Sequence, residues 1–145
     1  MKNQKQFEFW QQWLVIANII LIVFGLLVAF AGNSVLFSLH NAKSLEVFFN
    51  GQVQEPAFLL YKKWIFGVVG GTIAGFHLLM YFIARYPFRQ KEKWAYKSLV
   101  YALLLWFLVD SGISIYHGAY HNVYLVNLVA LIGIGLPLVM TRKFF

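Results

Sequence analysis

Trp13-Leu14-Val15-Ile16-Ala17-Asn18-Ile19-Ile20-Leu21-Ile22-Val23-Phe24-Gly25-Leu26-Leu27-Val28-Ala29-Phe30-Ala31-Gly32 is an apolar run with one strongly polar member, Asn18. Wound as an α-helix, a run of this length reaches roughly 30 Å, the thickness of a bilayer's hydrocarbon core. Lys2 and Lys5 precede it and Ala29-Phe30-Ala31 mimics a cleavage site, so a signal peptide is the competing reading. The run exceeds the usual apolar region of such a peptide, roughly 7–15 residues, and is expected to remain in the chain as a spanning helix.

Three further runs repeat the pattern. They cover residues 64–86 after Lys62-Lys63, residues 94–116 after a short basic loop, and residues 123–140 before Thr141-Arg142-Lys143. Trp and Tyr flank most of the ends (Trp10, Trp13, Tyr61, Trp64, Tyr86, Trp94, Tyr116, Tyr124), as the bilayer interface favours. The totals agree: the 145 residues are 61% hydrophobic and only 12% charged, against about 25% charged in an ordinary soluble domain. The expectation is an all-α, polytopic membrane protein: one domain over residues 1–145, a four-helix up-down bundle. Residues 33–63 form the one substantial outer loop, read as a lid at the membrane surface with an interfacial helix or a Gly51 turn.

Basic residues orient the bundle. With the N-terminus inside, nine Lys and Arg fall on the inner side, including Arg85, Arg89, Lys91, Lys93 and Arg142, and three (Lys43, Lys62, Lys63) fall outside. Both termini are therefore expected in the cytoplasm and the chain in a bacterial inner membrane. The net charge of +7 does not indicate nucleic acid, because the bases sit beside apolar segments and not on a basic stripe. With no Cys, disulfides, thiolate metal ligands and dithiol redox chemistry are excluded.

Small residues forecast the packing. Gly67, Gly71 and Gly75 recur every four residues on the second span, with Gly70 and Ala74 beside them, while Asn18, Gly25, Ala29 and Gly32 share a face of the first. Removing side chains lets backbones approach where lipid is as apolar as leucine, so these two faces are expected to meet; a homodimer seam is the other use of the same pattern. The second, third and fourth spans, joined by short loops, are expected to pack as a compact trio. His77 and Asn18 lie at similar depth and are placed to hydrogen-bond. Pro137 leaves the Gly133 carbonyl without its helical donor.

The candidate site is the polar material inside the third span. Asp110 lies about 7 Å outward of its midpoint, where inserting an Asp costs about 2.5–3.5 kcal/mol, so it should face the bundle or a watery cavity. Ser114, His117 and His121 follow on the same helical face, Ser111 is adjacent, and the fourth span brings Asn122 and Asn127 to similar depth. Asp110, Ser114, His117, His121 and Asn127 thus form an expected polar funnel opening outward.

Three uses compete for it. The side chains could fix helix register by hydrogen bonding. Asp110 and the His pair could relay protons or hold a small polar ligand, as in a small proton-coupled carrier. His117, His121 and Asp110 could bind a divalent cation, since His-x-x-x-His suits a helical metal pair, although Gly118 interrupts the helix between them. No cofactor is identified: a bis-His haem needs facing histidines, and His77 lies inward while His117 and His121 lie outward. Asp110-Ser111-Gly112 alone, without a base or oxyanion hole, makes no hydrolase. A non-enzymatic accessory or ligand-binding protein is the leading reading, a carrier the second, and a membrane enzyme acting on lipid or a redox cofactor the third; a membrane protein partner or second copy remains open.

The stretch Trp94-Ala95 through Trp106-Phe107-Leu108-Val109-Asp110-Ser111-Gly112-Ile113-Ser114, together with Asn122-Val123, looks like the signature of one of the small four-helix bacterial membrane families. The layout of four spans is also similar to that of DoxX-like proteins. The resemblance implies a four-helix bundle and carries over no activity, cofactor or site residue.

Overall fold

The computed structural model describes residues 2–52 and 55–145 and is helical throughout, with no strand among the described residues. Helix α1 spans Lys2–Ala31; a 3-10 turn at Val35–Phe37 leads into α2, Ser38–Phe49. Helix α3 spans Pro56–Arg85 and α4 spans Lys93–Tyr116. The last helix begins as α5, Tyr120–Asn122, passes through a π-helical turn at Val123–Asn127 and continues as α6, Leu128–Thr141. Four helices are long and apolar enough to cross a membrane: α1, α3, α4 and the run from Tyr120 to Phe144.

Local chemistry sets the ends. Pro56 starts α3, where a missing N–H costs nothing. Asn50 in the left-handed conformation closes α2, and Gly51 (φ 76°) and Gly118 (φ 72°) supply the backbone that the following turns need. Two boundaries differ from the sequence expectation. Helix α1 begins eleven residues before Trp13 and α3 begins eight before Trp64, because helix continues into amphipathic flanks that hydropathy alone ends early. The segment between the first two long helices is largely helical: α2 is a separate short helix between them.

The packing corrects the expected trio. Helix α1 runs along α3 for much of its length and also lies against α6, α4 leans on α6 and the π turn, and α3 meets α4 little. Close approach explains the order. A Cβ at Gly25 would stand 2.6 Å from the Ala74 nitrogen and one at Gly70 2.4 Å from the Ala29 nitrogen, so the two backbones touch. The α3 face used is Gly70, Ala74 and His77; at Gly67, Gly71 and Gly75 an added Cβ would meet nothing within 4 Å. The expected glycine seam therefore faces away from α1.

Side chains then lock the pair. Gln11 Nε2 donates to the Ala84 carbonyl at 3.0 Å, and Asn18 Oδ1 accepts from His77 Nδ1 at 2.9 Å in a buried setting. Trp13 Nε1 donates at 3.0 Å to the Gly133 carbonyl, the acceptor that Pro137 leaves without a donor. The apolar core (Phe7, Leu14, Met80, Ala84, Phe88, Leu99, Ile134, Leu138) fills the half of the bundle that holds both termini. Around it the surface is greasy, with Ile20, Phe30, Leu105, Leu108, Val129 and Val139 all well exposed.

Candidate functional site

The half of the bundle away from the termini is held by polar side chains. Asp110, half-buried on α4, is the acceptor at the centre. Its Oδ1 receives Asn127 Nδ2 at 2.7 Å, Asn122 Nδ2 at 2.8 Å and Ser114 Oγ at 3.4 Å. Asn122 Nδ2 also reaches Ser114 Oγ at 2.9 Å, and Asn127 Nδ2 reaches Ser111 Oγ at 3.0 Å. Ser111, Ser114 and Asn127 are buried, Asn127 completely.

The π turn makes this convergence possible. In an α-helix, residues five apart point about 140° away from each other. A π turn holds more residues and returns positions five apart to nearly the same side. Asn122 and Asn127 bracket the π segment and reach one carboxylate oxygen from consecutive turns. One lone pair is left over: Asn127 Oδ1 is buried without a hydrogen-bond partner.

Helix α2 lies over this cluster. Asn41 fastens it, donating to the Gly32 carbonyl at 2.8 Å while accepting from Lys62 Nζ at 3.0 Å. Ser44 Oγ shares a 3.0 Å hydrogen bond with His121 Nε2, and the His40 and His121 rings meet edge to face with centroids 4.9 Å apart. His40 lies beside the Asn122 side chain, which itself donates to Asp110. Burial pushes the His40 imidazole below its usual value; the Asn122 side chain offsets this in part and the Lys62 charge adds to it.

Of the expected funnel, Asp110, Ser114 and Asn127 come together. His121 sits at the lid contact, one layer above Asp110. His117 does not join: it caps α4 and is exposed, near Phe48 and Tyr116. The α4 helix stops at Tyr116, so the seven-residue periodicity from Asp110 ends one residue too early. For the same reason His117, His121 and Asp110 do not form a ligand set, and no group of three His, Asp or Glu side chains suited to a metal occurs among the described residues.

The expected set left out His40 and Ser44, and it placed Ser111 and Asn122 beside the funnel rather than in it. A sequence signal for the lid existed: His40, Ser44 and Phe48 recur every four residues and make one face of α2, the face that meets the α4–α5 turn. Nothing local marks the π turn. No family model, curated protein or solved structure matches the chain.

Proposed function

We propose that the chain is a non-enzymatic integral membrane protein, an accessory or ligand-binding four-helix unit of a bacterial inner membrane with both termini in the cytoplasm. Four helices of spanning length and a greasy exposed girdle support insertion. The basic residues gathered at the end with the termini support the orientation. The observation that carries the functional reading is the Asp110 carboxylate, held by three donors from α4 and the last helix beneath a docked lid. Such an arrangement fixes two helices and the lid in one register.

A small transporter or proton-coupled carrier that uses Asp110 is the second reading. It is favoured by the partnerless Asn127 Oδ1, since a buried acceptor without a donor is costly unless something else comes to it.

Replacing Asp110 by Asn separates the two. A structural unit loses yield in the membrane fraction and loses copurifying partners. A carrier keeps its yield and loses flux. Native mass spectrometry of the gently solubilised protein reports partner or ligand directly; wild-type abundance, partners and flux in the variant would sink both readings.

A further inference from the structure

We propose that α3 carries a binding site for an anionic phospholipid, with the headgroup phosphate between Arg85 and Arg89 and an acyl chain along the open apolar stripe of the same helix, from Tyr86 to Gly75. The inference rests on the membrane reading and is independent of the Asp110 cluster.

The headgroup end is a cleft of about 430 Å³ lined by Arg85, Tyr86, Arg89 and Gln90, where α3 ends and the turn to α4 begins. Neither arginine has an ion-pair partner among the described residues, in which the one ion pair is Lys43–Glu46. Neighbouring bases are differently engaged: Lys91 lies over the Phe7 and Phe144 rings, and Lys143 donates to Gln6. Two planar guanidiniums at one cleft match the geometry of a phosphate. Between residues 85 and 93 there are four cations and one carboxylate, Glu92, so a headgroup with its own ammonium is disfavoured against one with net negative charge.

Below the cleft the same α3 face is apolar and open. Tyr86 and Phe82 stack with centroids 6.2 Å apart, and Leu79 continues the exposed stripe. At its far end Gly75 falls on that face, and a side chain there would touch nothing in the protein. From Arg85 to Gly75 is about 15 Å of helix rise, the depth of one leaflet's hydrocarbon. An open apolar stripe one leaflet long, running down from a basic cleft, fits a lipid. A second copy of the chain would use the glycines but leave the arginines unmatched.

The test is native mass spectrometry of protein reconstituted in nanodiscs of phosphatidylglycerol and phosphatidylcholine in equal parts, with circular dichroism as the folding control. Wild type should retain phosphatidylglycerol at least tenfold over phosphatidylcholine, and inorganic phosphate at 10 mM should not displace it. The double substitution Arg85→Gln, Arg89→Gln should abolish the preference, and Gly75→Leu should lower retention of both lipids, each with unchanged helicity. Equal retention of the two lipids by wild type overturns the proposal. So does displacement by phosphate, which would make it a free-anion site, or a dimer lost in Gly75→Leu with no lipid preference. A chain that stays dispersed without detergent would instead overturn the membrane reading, and this proposal with it.

Discussion

Asn127 Nδ2 lies 2.7 Å from Asp110 Oδ1, joining the π turn to the last third of α4. The same amide reaches Ser111, and its carbonyl oxygen is buried with no partner. A hydrogen bond between helices in a membrane is worth about 0.6–2 kcal/mol. Asn127→Ala should therefore cost about that much in unfolding free energy, measured by denaturant titration in detergent. Asn127→Asp should be worse, because it sets two carboxyl groups against each other. An Asn127→Ala variant as stable as wild type would show that the contact does not hold the bundle.

The α1–α3 seam predicts an asymmetry between glycines one residue apart. Gly70→Ala forces a Cβ against the Ala29 backbone, so the helices must separate, at a cost of about 1–3 kcal/mol for overpacking. Gly71→Ala meets nothing in the protein and should leave stability unchanged or slightly higher. Thermal unfolding of the two variants side by side checks this; equal loss in both would place the seam on the wrong face.

Trp13 and Gly133 predict a smaller effect. Trp13→Phe keeps the ring and removes the indole N–H, leaving the Gly133 carbonyl without the donor that Pro137 cannot provide. Loss of about 1 kcal/mol is expected, typical of a hydrogen bond between helices in a membrane. Restoring a backbone donor by Pro137→Ala in the same chain should remove most of the difference, which a double-mutant cycle would measure.

His40 makes the lid sensitive to acid. Its imidazole is held below 6.5 by burial, so the docked lid favours the neutral ring. Docking is complete above that value and weakens as pH falls toward the depressed one, because the undocked ring takes up a proton first. His121 and Lys62 face the ring and would repel a charged His40, while Glu46 is already paired with Lys43. Protection of the Ser38–Phe49 amides, corrected for the intrinsic pH dependence of exchange, should fall between neutral pH and pH 5, and His40→Gln should remove most of that response. Protection that does not change with pH in wild type would refute the latch.

Four helices were legible in the sequence because their cause is local: every apolar stretch carries its own preference for hydrocarbon over water, wherever its neighbours lie. The depth of Asp110 and the matching depth of Asn18 and His77 followed from the helical rise alone. Which side of α3 meets α1 did not. Gly67, Gly71 and Gly75 offer a more regular stripe than Gly70, Ala74 and His77, and spacing cannot rank them. The choice falls to the face that seats Gly25 against a backbone while delivering His77 to Asn18, a condition on two helices at once. Likewise the site's true members are set by where α4 stops, where the π turn shifts the last helix, and where α2 folds back. Each of those places a side chain against one distant in sequence, and such contacts are decided by shape and hydrogen-bond partners that exist only after the chain has folded.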